Sequence, residues 1–177
     1  MKVDHFLWAS LIPTPWIMRF ATLFGAGNVK VGPGTVGSLL GIFWYITIFT
    51  SASGLMHLVI LLGTLYLAAG ICGEAANRMG QKDPGSVILD EFVVIPICFL
   101  GLDHVMLQGD AWWMLLLGFA LFRLFDITKP LFIGRLDQIE GGWGILLDDV
   151  AAALVTCLCL HGVVRFELLD RLTGLWN

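Results

Sequence analysis

Charge is what this chain has least of. Asp, Glu, Lys and Arg together make up 14% of its 177 residues, against 58% hydrophobic side chains, and the mean hydropathy is +0.85. A soluble domain carries roughly 25% charged residues to keep its surface wet, so a wholly water-facing surface is excluded. The apolar area must lie in lipid or in a very large assembly. The uncharged stretches decide for lipid. No Asp, Glu, Lys or Arg occurs between Lys30 and Glu74, room for two crossings of roughly 20 residues each. A basic stripe is missing too, and the formal net charge is −4, which argues against a nucleic-acid partner. Low-complexity tracts and internal repeats are absent. So is a cleavable-signal pattern around Asp4, His5 and Trp8, and the first crossing is expected to insert the chain.

Cysteine is scarce. Cys72, Cys98, Cys157 and Cys159 all lie in apolar segments, without the spacing of a metal site. They read as buried, inert thiols. Cys72 and Arg78 have the spacing of thiol phosphatases, but the five residues between them read as helix rather than as a loop of free N–H groups. Glu74 would also repel a phosphate. His5, His57, His104 and His161 are scattered and read as non-ligands.

What is present is a series of apolar segments. The whole chain, 1–177, reads as one domain, an all-α, multi-pass membrane bundle of about four to five embedded helices. The segments are expected at about Val36–Thr50, Met56–Ala76, Val87–Leu107, Ala111–Phe125 and Ile145–Val164. An interfacial helix over Phe6–Phe24, broken near Pro13 and Pro15, precedes them. Some uncharged stretches are short: 12 residues separate Asp110 from Arg123, and 15 separate Asp149 from Arg165. Charge so close to hydrocarbon is costly and tends to be functional. Lys2, Arg19 and Lys30, then Arg78 and Lys82, then Arg123, Lys129 and Arg135 cluster in alternate connections. The positive-inside rule assigns these to the cytoplasm. Arg165 and Arg171 then fall outside, unless the fifth segment is re-entrant.

Four groups of residues could carry chemistry, and all lie on that same expected side. Asp90-Glu91 open an apolar helix after the breakers Pro84 and Gly85. Neighbouring helical positions point about 100° apart, so one carboxylate can bind an ion while the other orients water. The plain alternative is a pair favoured by the helix N-terminal dipole. Asp148-Asp149 repeat the pattern after Gly141-Gly142-Trp143-Gly144. Two such pairs meeting on one face need a cation between them, and hard oxygen donors of this kind suit Mg²⁺. Arg123, Asp126 and Lys129, spaced by three, share a helical stripe that Pro130 ends. They read as a further ligand with two phosphate-binding cations, or as a self-neutralising surface stripe. Asp137 is a weaker candidate. The loop from Gly25 to Ser38, with Lys30, Gly34 and Thr35, leads into a helix whose free N–H groups favour an anion. The alternative is an ordinary turn. No nucleotide fingerprint follows it.

At these residues the chain resembles the phosphatidylglycerophosphatase A family. The resemblance is carried by Pro33-Gly34-Thr35-Val36-Gly37-Ser38 and by the segment from Asp83 to Glu91. It continues through Phe122-Arg123-Leu124-Phe125-Asp126-Ile127-Thr128-Lys129-Pro130, Asp137, and Gly141 to Asp149. It spans about residues 25–155 in order. Val94, Glu140 and Ala152-Ala153 depart from the family pattern; Glu140 adds negative charge beside the site, and no departure removes a carboxylate. The resemblance implies a Mg²⁺-dependent hydrolase that converts phosphatidylglycerophosphate to phosphatidylglycerol; in a bacterial inner membrane, the positive-inside rule then makes its active site face the cytoplasm.

The expected mechanism joins both readings. Asp90, Glu91, Asp126, Asp148 and Asp149 are the expected catalytic and metal-binding residues, holding one or two Mg²⁺. Lys30, Gly34, Thr35, Arg123 and Lys129 are expected to bind phosphate. Water, or in second place an aspartate carboxylate, attacks phosphorus. The rivals are a cation transporter whose carboxylates line an ion path, and a structural membrane subunit. The Lys-x6-Arg-Pro motif of histidine-nucleophile phosphatases and the Asp-x-Asp-x-Thr/Val start of aspartyl-phosphate hydrolases are both missing.

Overall fold

A computed structural model describes residues 6–102, 112–130, 133–136, 139 and 141–173. Lys2, Asp4, His5, Asp103, His104, Asp110, Asp137 and Glu140, and the side chains of Arg135 and Arg171, lie outside the described residues. The described chain is all-helical. The N-terminal segment forms α1 (Leu7–Ser10) and α2 (Thr14–Ala21), broken at Pro13 as expected. Gly32, at φ +61°, and Pro33 start α3 (Pro33–Trp44), which runs on as a π-turn over Tyr45–Phe49. Ser53 caps α4 (Gly54–Met79), and Gly80 ends it in the left-handed conformation that glycine adopts without a Cβ penalty. Then come α5 (Leu89–Cys98), α6 (Trp112–Thr128), α7 (Ile133–Leu136) and α8 (Gly142–Thr173).

Among the described residues two helices, rather than the expected four to five, are long and apolar enough to cross a membrane: Gly54–Met79 and Gly142–Phe166. The physical reason is helix length. At 1.5 Å per residue, the ten residues of α5 reach only about 15 Å. Pro96 breaks the hydrogen-bond ladder of α5 from within, and a turn at Phe99–Leu100 follows it. The part of the expected third segment beyond Leu102 lies outside the described residues. Pro33–Phe49 is a shorter apolar helix. Only 33% of the most apolar window of α4 is buried; Leu55, Leu58, Val59, Leu62 and Leu67 stand exposed. A face this apolar needs lipid or a partner against it.

α5 forms the centre, packed by α3, α4 and α8. It can lie close to α3 because α3 carries glycines toward it. A Cβ at Gly37 would come within 2.9 Å of the Ile88 carbonyl, and one at Gly41 within 2.6 Å of Ile95 Cγ1. Likewise Gly73 of α4 meets Gly142, the first residue of α8. These contacts bring the starts of α3, α5 and α8 to one end of the bundle. The core along their length includes Val94, Phe122 and Leu146. Just past the end of α3, Tyr45 stacks on Phe99 at 4.6 Å, about 18 Å from Pro33 by helical rise. A second, smaller core of Ile17, Ala21, Cys72, Ala75 and Val87 fastens α2 to the C-terminal part of α4. Arg78 strengthens that joint, donating to Glu74, to Thr14 Oγ1 and to the Ser10 carbonyl.

Candidate active site

At the end where α3, α5 and α8 begin, the C-terminal turn of α6 joins them, and the four enclose a cavity of about 230 Å³. Gly32, Pro33 and Gly34 line it from the entrance of α3. Asp83, Gly85 and Val87 come from the turn before α5, and Asp90 and Glu91 from its first turn. Arg123, Asp126 and Lys129 come from α6; Ile145, Asp148 and Asp149 come from α8. The N-termini of α3 and α5 thus face the cavity, each with a partial positive charge of roughly half a unit. That field favours the carboxylates and would favour a phosphate.

The two acidic pairs, far apart in sequence, are therefore neighbours in space. Asp90, Asp148 and Asp149 are 4%, 6% and 4% exposed. Six carboxylates, with Asp83 and Asp126, face two cations. Arg123 pairs with Asp126 and stands 3.7 Å from Glu91 Oε1. Lys129 Nζ donates to Asp148 Oδ2 at 2.7 Å. Lys129 reaches this position from a left-handed backbone, φ +42°, a conformation costly for a side chain of its kind. Pro130 blocks helical continuation after it, and the chain turns there. Gly34 belongs to the site for a steric reason: a Cβ there would collide with Glu91 Oε1 and lie 3.0 Å from Arg123 Nη1.

Burial, and after it the surrounding negative charge, shows in the titration of α5, which lies outside the two long apolar helices. Burial, and next the charge of Asp126, raises the Glu91 carboxyl to about 7. Burial, and next the charge of Glu91, raises Asp90 well above the usual carboxylate range. Asp90 Oδ1 and Glu91 Oε2 are buried without a hydrogen-bond partner, a condition that buried carboxylate oxygens seldom tolerate. Among the described residues, no three His, Cys, Asp or Glu side chains converge tightly enough to cage an ion by themselves. The donor set nonetheless fits Mg²⁺, which binds through one or two carboxylates and completes its shell with water and substrate phosphate.

Of the residues expected from sequence, Asp90, Glu91, Asp126, Asp148, Asp149, Gly34, Arg123 and Lys129 line this one cavity. Lys30 and Thr35 do not. Lys30 is exposed on the loop ahead of α3. Thr35, one position past Gly34, points about 100° away, toward Gly32. Asp83 lines the cavity although it was not among the expected ligands; its place just before Pro84-Gly85 was the signal that a turn would bring it round. The Cys72–Arg78 stretch is helical, with Cys72 buried and Arg78 engaged by Glu74. His57 packs against Phe49, and His161 bonds the Leu100 carbonyl; neither lines the cavity.

The sequence model of one family, described as phosphatidylglycerophosphatase A, matches residues 19–164. The chain is 35% identical over 149 residues to the Escherichia coli protein named phosphatidylglycerophosphatase A, covering 83% of this chain and 82% of that one. It is 33% identical over 153 residues to the Haemophilus influenzae protein of the same name, covering 86% and 91%. A Bacteroides thetaiotaomicron protein provisionally named a phosphatidylinositol-3-phosphatase is 35% identical over 153 residues, covering 83% and 92%. No solved structure matches the chain.

Proposed function

The chain belongs to the phosphatidylglycerophosphatase A family, and from that premise we propose that it hydrolyses phosphatidylglycerophosphate to phosphatidylglycerol and phosphate, with Mg²⁺, at the cytoplasmic face of a bacterial inner membrane. Membership makes it a phosphoric monoester hydrolase. The observation that carries the finer reading is the meeting of Asp90-Glu91 and Asp148-Asp149 in one cavity with Arg123 and Lys129.

Phosphate transfer to water needs a positioned nucleophile and neutralisation of the phosphoryl oxygens. Asp90, Glu91, Asp126, Asp148 and Asp149 form the set that would hold Mg²⁺, beginning with the unpartnered oxygens of Asp90 and Glu91. When bound, the ion supplies Lewis-acid polarisation of the phosphate and offsets its charge. Arg123 and Lys129, which here hold Asp126 and Asp148, turn their donors to the phosphoryl oxygens once substrate enters. Asp90 and Glu91 are adjacent in the first turn of α5 and point about 100° apart, so one would hold the ion while the other orients the attacking water. The acyl chains stay among the exposed apolar side chains of the bundle. The cytoplasmic orientation rests on the basic residues at Arg19, Lys30, Arg78 and Lys82. Support for catalysis over a cation path comes from the gathering of the buried carboxylates at one end of the bundle.

The test is phosphate release from phosphatidylglycerophosphate by purified protein in detergent, with Mg²⁺ or with chelator. Chelation is expected to stop turnover. Glu91→Gln and Asp149→Asn are each expected to lower it by about 10³-fold, the scale on which removing a charge-stabilising group acts. Near-normal turnover in Asp149→Asn removes that residue from the mechanism; the same result for Glu91→Gln overturns the scheme.

A further inference from the structure

Beside the carboxylate cavity lies a second one, of about 390 Å³, lined by Met18, Arg19, Thr22, Phe24, Gly25, Asn28, Met79 and Ser86. The two share a wall one peptide thick. In the turn from Pro84 to Val87, Gly85 and Val87 line the first cavity, and Ser86 between them lines the second. They also share a loop. Gly25 and Asn28 line the second cavity, and Gly32 to Gly34, a few residues on, line the first. The loop is held against the wall: a Cβ at Gly27 would collide with the Ser86 carbonyl, and Ile88 N donates to the Ala21 carbonyl at 2.9 Å.

The second cavity differs chemically from the first. Its charged lining residue is Arg19, and it contains no carboxylate. The Arg19 guanidinium lies 5.1 Å from the centre of the Trp16 ring, which orients it without neutralising it. Among the described residues, no carboxylate pairs with Arg19, whereas Arg78, Arg123 and Lys129 each hold one. Lys30, which also pairs with no described carboxylate, stands exposed on the connecting loop between Asn28 and Gly32. Thr22, Asn28 and Ser86 add hydrogen-bonding groups; Met18, Phe24 and Met79 add an apolar wall. Phe24 packs edge-on to Phe20, which stacks on Trp16, and all three rings are exposed; such rings favour the interface between lipid and water.

We propose that this second cavity binds the phosphodiester of the lipid substrate, through Arg19 with Asn28 and Ser86, while the terminal phosphomonoester occupies the carboxylate cavity. The assignment rests on the function proposed above, whose substrate carries both groups on one glycerol. A singly charged diester suits a lone guanidinium with neutral donors. The doubly charged monoester needs the stronger field of the first cavity. Arg19 is thus a specificity residue: it favours lipids with a diester next to the monoester over phosphatidate, which has the monoester alone. Lys30 sits on the loop that joins the linings of the two cavities.

The experiment compares wild type, Arg19→Gln, Arg19→Lys and Asn28→Ala on phosphatidylglycerophosphate and on phosphatidate, in neutral detergent micelles with Mg²⁺. Arg19→Gln is expected to raise KM for phosphatidylglycerophosphate about tenfold with kcat kept, the scale of one exposed charge-assisted contact. Its kcat/KM for phosphatidate should change less than about twofold, so that selectivity between the lipids collapses. Arg19→Lys should recover part of the loss, and Asn28→Ala should shift selectivity in the same direction by a smaller factor. Equal losses on both lipids, or no change on either, overturn the proposal. So does an effect that arises only after phosphatidylserine is added to the micelles, since the cavity would then hold a bystander lipid. If wild type hydrolyses neither lipid, the proposed function itself fails, an outcome separate from lost selectivity.

Discussion

Gly34→Ala is the sharpest test of the site, because one methyl group is aimed at one carboxylate oxygen. The added Cβ would overlap Glu91 Oε1 and lie 3.0 Å from both Glu91 Cδ and Arg123 Nη1. To restore ordinary contact the Glu91 carboxylate must withdraw by about 1.4 Å, and a displacement of about 1 Å already costs roughly 10²-fold in rate, or about 2.7 kcal/mol of barrier. Stability should change less. Alanine gains up to about 1 kcal/mol of helix propensity over glycine, against about 1–3 kcal/mol for overpacking. The net loss is then at most about 2 kcal/mol, or about 4–8 °C in Tm for a domain of this size. The assay is kcat/KM for phosphatidylglycerophosphate at a temperature well below the melting transition. Gly63→Ala, where a Cβ would meet nothing within 4 Å, serves as the control and should keep full activity. Gly34→Ala retaining more than about a third of wild-type kcat/KM would refute the steric argument.

Two further outcomes follow from the charge balance. Glu91 has a folded-state value of about 7, above its ordinary 4.5. The folded state therefore binds more protons than the unfolded one between those values, and stability should fall as pH rises through that window. Thermal melts in chelator should show Tm lower at pH 8 than at pH 5, and added Mg²⁺ should raise Tm more at pH 8; a Mg²⁺ effect of equal size at both pH values contradicts this. Lys129→Met leaves Asp148 buried beside other carboxylates without its 2.7 Å partner. The expected cost is about 3 kcal/mol, or about 6–12 °C in Tm, and Asp148→Asn in the same chain should recover most of it; simple additivity of the two changes would show that the pair does not interact.

Much of this was legible in the sequence because local chemistry and composition carry it. The uncharged span from Lys30 to Glu74 announced apolar helices. Pro84-Gly85 and Pro130 marked helix boundaries that the structure shows within one to four residues. Asp90-Glu91 and Asp148-Asp149 drew attention because carboxylates are out of place at the start of apolar helices. The number of crossing helices was less legible. Hydropathy reports what a segment tolerates around it, and α5, buried among three helices, is as apolar as a lipid-facing span while being too short to be one.

What the sequence alone determined is the inventory: helices, their approximate ends, and a set of acidic and basic residues too costly to sit idle near lipid. What only the tertiary structure decided is which of them meet. Gly34 and Thr35 are neighbours in the chain, yet one faces Glu91 and the other does not. Lys30 and Arg123 look alike as phosphate ligands, yet only Arg123 reaches the carboxylates. Helix packing made these choices, through close approaches at Gly37, Gly41 and Gly73. The distances between side chains far apart in sequence are fixed by how helices stack, which local propensity does not encode.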